Sequence, residues 1–101
     1  MPTDADKREH ERKQLFAEAT LEFSSGKYQA RINDISLGGC YVDSIASVTE
    51  GEAISLTLAV GSGEPERFAG VVAYVLRGFG FGIRFTDLNE EKIAFLQKLL
   101  G

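Results

Sequence analysis

The sequence predicts a mainly β domain: a small antiparallel six-stranded β-barrel with a C-terminal α-helix. Apolar and polar side chains alternate with a period of two in several short segments, which is the pattern of half-buried strands. Glycine-containing turns separate these segments, whereas the last segment has helical periodicity. At 101 residues, the chain is long enough to bury one hydrophobic core without cross-links.

The first two strands are predicted to form a hairpin. In 15–23, and again from Tyr28 to Ile32, apolar residues occupy every second position. The stretch Ser24–Lys27 between them favours a tight turn, in which Gly26 is available for positive φ. Two alternating runs joined by so short a connection are typical of antiparallel neighbours.

Four further strands are predicted between Tyr41 and Phe85. Gly78 follows Arg77 in a turn between the last two of them. Gly80 and Gly82 alternate with aromatic residues inside a strand pattern, which indicates close strand packing or a sharp bend. The first of these four strands begins at Tyr41–Val42, and the other three lie at 54–60, 68–76 and 81–85.

The closing segment is predicted to form one amphipathic helix. Asp87, with Glu90 three residues later, resembles a capping box in which Asp87 is the N-cap. Its apolar residues share one helical face, which can cover an end or a side of the barrel. This face comprises Ile93, Leu96 and Leu100, with Phe95 and Leu99 beside it.

Bulk composition restricts the classes of partner. The formal net charge is −4, so a basic surface for DNA or RNA is not indicated. No apolar run approaches the roughly 20 residues that span a bilayer, and membrane insertion is not expected. One cysteine excludes an internal disulfide and fits a reducing compartment. We therefore expect a cytoplasmic protein.

The N-terminal stretch carries a pair of arginines. Residues 1–14 are polar nearly throughout, and we interpret them as a flexible arm that precedes a barrel domain of residues 15–101. Arg8 and Arg12 lie four positions apart in this arm, a spacing that is by itself typical of a solvated helical turn. His10 between them is the only histidine of the chain and is interpreted as an exposed spacer.

A second motif lies in the stretch DISLGGCYV, residues 34–42. Asp34, Ser36 and Gly39 form the pattern DxSxxG, with Gly38 next to the final glycine. A simple strand-to-strand turn needs a glycine or an Asn-Gly pair, so this stretch is more specialised than a turn requires. Its polar side chains can also form an Asx- or Ser/Thr-turn, which is compatible with a binding role.

The patterns RxxxR and DxSxxG, in this order and followed by a barrel and a helix, resemble the PilZ domain family. The resemblance extends from about Lys7 to Gly101, and the sequence GFGIRF is similar to the closing strand of the family. It implies a PilZ-like barrel and a bacterial receptor for the second messenger cyclic di-GMP, with no cofactor besides this ligand.

The resemblance implies that the arm forms one face of the nucleotide site. Arg8 and Arg12 are expected to bind the ligand, because a guanidinium presents a planar fork of donors that matches a phosphate or the O6/N7 edge of guanine. We expect the arm to be mobile without ligand and to fold over the nucleotide. The residue before RxxxR is linked in the family to ligand stoichiometry, and the basic Lys7 favours a stacked pair of nucleotides.

The DxSxxG turn is expected to form the other face. Asp34 can accept hydrogen bonds from N1 and N2 of guanine, and Ser36 can donate to or accept from a phosphate or the N2 amino group. Gly39 leaves room for a base beside the backbone, and Gly38 is expected to give the loop access to left-handed φ. No catalytic or metal-binding residue is assigned.

Other prominent residues receive structural interpretations. Cys40 is interpreted as a small buried apolar residue. Arg31, Arg77 and Arg84 are interpreted as solvated strand positions, with accessory contacts to a phosphate as the alternative. Tyr28 and Tyr74 are expected in the core. The sequence contains no recognisable pairing of base and nucleophile and no metal-ligand spacing, so an enzyme is not expected.

The leading hypothesis is a receptor that binds cyclic di-GMP and signals to an unidentified protein partner. Family members commonly influence motility or biofilm formation. The alternative is a PilZ-fold protein–protein adaptor that does not bind nucleotide, which the two complete motifs disfavour. A third class, a small barrel that binds oligonucleotides in a basic groove, is disfavoured by the acidic net charge.

Overall fold

A computed structural model describes residues 13–24, 26–59 and 63–100. In this part of the chain, six antiparallel strands form a closed barrel and one helix follows the last strand. The predicted fold class is confirmed. The elements are β1 (Lys13–Phe23), β2 (Gly26–Ile35), β3 (Gly39–Asp43), β4 (Ala53–Leu58), β5 (Glu66–Leu76), β6 (Gly80–Phe85) and α1 (Glu90–Leu100).

The strands follow the order β1-β2-β3-β6-β5-β4 around the barrel, and β4 pairs back onto β1. Four of the pairings join strands that are consecutive in the chain, whereas β3–β6 and β1–β4 do not. The β3–β6 pairing places Gly39 opposite Arg84. As a result, the end of the DxSxxG motif lies beside the last strand of the barrel.

The β1–β2 hairpin follows the predicted alternation. Ala19 and Leu21 are buried in the barrel interior. Phe23 pairs with Gly26, whose φ of 142° is readily adopted only by glycine. β1 begins at Lys13, two residues before the predicted start of the barrel domain.

The barrel encloses one hydrophobic core, in which Cys40 is buried as predicted. The expectation that Tyr28 and Tyr74 are core residues is wrong, because their side chains are 39% and 41% exposed. Tyr74 follows a β-bulge that shifts the register after Val72, and a bulge interrupts the in-out alternation of a strand. The core comprises Ala19, Leu21, Ile32, Ile35, Cys40, Val42, Ile54, Leu56, Leu58, Phe68, Val72, Phe81, Ile83, Phe85 and Leu96.

The helix α1 packs on the barrel through its apolar face, as predicted. Leu96 is fully buried, and the Phe95 ring lies 5.9 Å from the Phe68 ring in an edge-on arrangement. The ammonium group of Lys92 donates a hydrogen bond of 2.6 Å to the backbone carbonyl of Arg67. This contact ties the first turn of the helix to β5.

The start of the helix differs from the prediction. The helix begins at Glu90, and Oδ1 of Asn89 accepts a hydrogen bond of 2.9 Å from the Lys92 N–H, so Asn89 is the N-cap. Asp87 instead accepts a hydrogen bond of 2.9 Å from the backbone N–H of Ala69 on β5. Both residue types are good N-caps, and the strand contact that occupies Asp87 is invisible in the sequence.

The glycines of β6 confirm the prediction of close strand packing. A Cβ atom on Gly80 would overlap the carbonyl oxygen of Val42, and one on Gly82 would overlap the ring of Tyr74. Gly78 has a φ of 83° in the turn before β6, which is the left-handed conformation that a tight turn requires.

Candidate ligand-binding site

The loop between β2 and β3 is held by the hydroxyl group of Ser36. This oxygen accepts a hydrogen bond of 3.2 Å from the Gly38 N–H and donates one of 3.4 Å to the Gly39 carbonyl. The Ser36 N–H donates to the same carbonyl at 2.8 Å. These hydrogen bonds form a Ser/Thr-turn, one of the alternatives that the sequence offered. Ser36 is only 3% exposed, so its hydroxyl group stabilises the loop from the buried side.

The two glycines of the loop have different surroundings. A Cβ atom on Gly39 would overlap the backbone carbonyl oxygen of Ile83, so this position requires glycine. The expected left-handed φ of Gly38 is wrong, because Gly38 is not among the glycines with positive φ. The Ser36 turn, together with a hydrogen bond of 2.9 Å from the Phe85 N–H to the Gly38 carbonyl, holds the loop without it.

Asp34 belongs to a row of paired residues on the outer face of the barrel. It lies opposite Tyr41 of β3, which lies opposite Gly82 of β6, which in turn lies opposite Tyr74 of β5. Because directly paired residues project from the same face, the carboxylate and both phenol rings share the outer surface. The two tyrosine rings are 6.3 Å apart between centroids and inclined by only 15°.

Burial and neighbouring groups both act on the phenol of Tyr41. Its pKa is raised above 10.0 by partial burial, and further by the charge of Asp43, by Tyr74 and by Asp34. At neutral pH the hydroxyl group is therefore protonated and can donate a hydrogen bond. The surface beside Tyr41 is acidic, which suits ligand groups that donate hydrogen bonds.

A groove of about 570 Å³ lies between the β2–β3 loop, the outer face of β5 and β6, and the start of α1. This volume is in the range of roughly 300–1,000 Å³ that is typical of small-molecule sites. Residues 36–40 form one wall, and Leu88 and Ile93 form another. Tyr74 and Arg84 project from the strands that line the groove.

A sequence model of the PilZ domain family matches residues 6–101. The chain belongs to the PilZ domain family. The match extends over nearly the whole chain. It confirms the resemblance to the PilZ family that the RxxxR and DxSxxG patterns indicated. No curated protein matches the sequence.

Solved structures share this PilZ barrel at low sequence identity. The PilZ domain of YcgR from Escherichia coli with c-di-GMP has a TM-score of 0.76 and 16% identity, over 92% of this chain and 88% of that chain. The PlzA protein of Borreliella burgdorferi in complex with c-di-GMP has a TM-score of 0.70 and 21% identity, over 97% of this chain and 43% of that one.

The inhibitor of motility MotI/DgrA from Bacillus subtilis is also similar. It has a TM-score of 0.81 and 14% identity, over 98% of this chain and 54% of that chain. The chain therefore spans about half the length of MotI/DgrA. At these identities, the similarity to all three structures establishes the shared fold.

The predicted site residues of the PilZ motifs differ in their relation to the groove. Ser36 and Gly39 border it, whereas Asp34 lies on the outer face of the barrel and is not among the lining residues. Gly38 lines the groove through its backbone. The ligand-binding roles of these residues stay predictions. The arm residues lie outside the described part of the chain: Lys7, Arg8 and Arg12.

Two residues that line the groove belong to neither motif. Tyr74 was expected in the core and Arg84 at a solvated strand position, yet both line the groove. The run FAGVVAYVL has strong strand character along its whole length, and nothing in it marks the bulge before Tyr74. Arg84 is exposed as expected, and only the β3–β6 pairing shows that it lies beside the motif.

The described residues contain neither a metal-binding cluster nor a membrane-spanning helix. No group of three or more His, Cys, Asp or Glu side chains among them is placed to hold a metal ion. Within the same ranges, the structure contains no helix with the length and apolar character needed to cross a membrane.

Proposed function

We propose that this PilZ domain is a cytoplasmic receptor that binds cyclic di-GMP and signals to a protein partner. The nucleotide is clamped between Arg8 and Arg12 of the arm and the turn that contains Asp34, Ser36 and Gly39. The observation that carries the proposal is that both motifs are complete in a member of the PilZ family. Two structures with the same barrel, from YcgR and PlzA, are complexes with c-di-GMP.

In this proposal, the residues of the turn have different roles in binding the nucleotide. Asp34, on the outer face, accepts hydrogen bonds from N1 and N2 of guanine, the edge that distinguishes guanine from adenine. Ser36 acts by holding the loop, because its hydroxyl group is already bonded to Gly38 and Gly39. The glycine backbone then offers a surface without side chains to the ligand.

The arm provides most of the binding free energy in this scheme. Micromolar affinity corresponds to about 8 kcal/mol, and a charge-assisted hydrogen bond contributes about 1.5–3 kcal/mol. Bidentate contacts from Arg8 and Arg12, together with the Asp34 contact, reach this value after the cost of ordering the arm. Lys7 adds a third positive charge, which favours a stacked pair of nucleotides over a single one.

Calorimetric titration with cyclic di-GMP tests the proposal, with GTP as the control ligand. Arg8→Ala and Arg12→Ala are each expected to weaken binding at least about tenfold. Arg77→Ala is the matched control, since Arg77 is exposed in the β5–β6 turn, and its affinity should equal that of the unmodified chain. Arm variants that bind as the unmodified chain does would refute the clamp, and a stoichiometry near one would refute the stacked pair.

The similarity to an inhibitor of motility favours a second candidate, a PilZ-fold adaptor that contacts a protein partner without binding nucleotide. A thermal shift assay separates the two functions. A ligand at one hundred times its Kd adds about 2.7 kcal/mol to the free energy of unfolding. If the melting temperature is unchanged at millimolar cyclic di-GMP, the adaptor is the better assignment. Either function is compatible with a role in motility or biofilm formation.

A further inference from the structure

The ring of Tyr74 packs on the outer face of the barrel. It lies over the backbone of Gly82, where any side chain would overlap it. Tyr41 packs beside it, with the rings nearly parallel and their centroids 6.3 Å apart. Tyr74 nevertheless remains 41% exposed and lines the groove. The arrangement therefore presents part of a packed aromatic surface to a ligand in the groove.

Arg84 brings a positive charge to the same groove. It lies two positions after Gly82 on β6, so both project from the outer face of the strand. Its neighbours across the sheet are Gly39 and Val71, and because Gly39 has no side chain, the arginine borders the backbone of the DxSxxG loop. Arg84 is exposed, and among the described residues it takes part in no ion pair.

Resting on the proposed function, we propose that Tyr74 and Arg84 form a subsite for one nucleotide unit of cyclic di-GMP. The guanine base stacks on the Tyr74 ring, and Arg84 donates hydrogen bonds to the adjoining phosphate. A purine offers a large π-surface to an aromatic ring, and the guanidinium fork matches phosphate oxygens. The groove combines the flat ring with the charge that such a ligand needs.

The charges around Tyr74 determine the orientation of the bound nucleotide unit. Asp34 pairs directly with Tyr41, and Asp43 lies two positions after Tyr41 on the same face of β3, so the surface on the Tyr41 side is acidic. A phosphate is disfavoured there by repulsion between like charges. Arg84 lies towards the DxSxxG loop, and the phosphate is therefore oriented towards Arg84 and the loop.

Calorimetry on four variants of the full chain tests this subsite. Tyr74→Leu and Arg84→Gln are each expected to weaken cyclic di-GMP binding about tenfold, and Tyr74→Phe should bind as the unmodified chain does. Tyr28→Leu is the matched control, because Tyr28 is similarly exposed, at 39%, on the β1–β2 hairpin. Unchanged affinity of Tyr74→Leu would overturn the subsite while the receptor function stands. An unmodified chain that fails to bind would overturn both.

A second measurement does not depend on the stability of any variant. On titration of the unmodified chain with cyclic di-GMP, the ring protons of Tyr74 should shift upfield in the NMR spectrum, since a stacked purine shields them. The chain contains three tyrosines, so Tyr→Phe substitutions suffice to assign the signals. The Tyr28 signals should not move. A Tyr74 signal that is unchanged at saturation would refute stacking on this ring.

Discussion

The backbone carbonyl oxygen of Ile83 occupies the space towards which a side chain on Gly39 would project. The contact lies where β3 pairs with β6, one of the two pairings between strands that are not consecutive in the chain. The last glycine of DxSxxG is thus required for closing the barrel, independently of any ligand. A loss of binding in a Gly39 variant has to be separated from a loss of fold.

Gly39→Ala is expected to lower the free energy of unfolding by at least about 2 kcal/mol, because the new Cβ would overlap a backbone atom. Gly78→Ala is the matched comparison: its φ is 83°, but a Cβ there meets nothing within 4 Å. Only the cost of the left-handed conformation remains, about 1 kcal/mol. Urea denaturation measures both values, and equal losses would contradict the steric explanation.

Ser36→Ala is expected to destabilise the fold by about 1 kcal/mol and to weaken cyclic di-GMP binding, since the Gly38 N–H loses its acceptor. Ser44 offers a control of the same geometry, because its Oγ accepts a hydrogen bond of 3.0 Å from the Ala46 N–H. Ser44→Ala should cost similar stability and leave the affinity unchanged. Chemical denaturation and calorimetry give the two quantities. If both variants bind equally well, the Ser36 turn has no part in recognition.

Asn89→Ala is expected to destabilise the protein by about 1 kcal/mol through loss of the N-cap, whereas Asn89→Asp should stay close to the unmodified chain. Asp87→Ala removes a different contact, the hydrogen bond from Ala69. Helical circular dichroism during thermal unfolding measures all three. Retention of full stability by Asn89→Ala, with loss in Asp87→Ala alone, would favour the capping box of the sequence prediction.

The raised pKa of Tyr41 predicts a loss of stability at alkaline pH. The folded state keeps the phenolic proton at pH values where the unfolded state has released it. The stabilisation is complete below pH 10.0, the ordinary value, and is lost as the pH rises through the folded-state pKa. Ultraviolet titration of the phenolate should show one tyrosine that ionises late, and Tyr41→Phe should remove it. A late component that persists in this variant would contradict the assignment.

Several parts of the fold could be predicted from local patterns. The alternation in β1 and β2, the turn at Gly26 and the apolar face of α1 each depend on residues that are close in the chain. The two motifs could be recognised because the residues of RxxxR and of DxSxxG are also close together in the chain. These features were sufficient to predict the barrel class and the family.

The make-up of the groove was decided by tertiary structure. Tyr74 and Arg84 join Gly39 there only because β3 pairs with β6 and β6 with β5. The β3–β6 contacts span more than thirty positions of sequence. The bulge before Tyr74 also depends on a neighbouring strand. The same is true of the hydrogen bond from the Ala69 N–H to Asp87, which Asp87 makes instead of capping the helix. Periodicity reports the face on which a residue lies, whereas register determines the residues beside it.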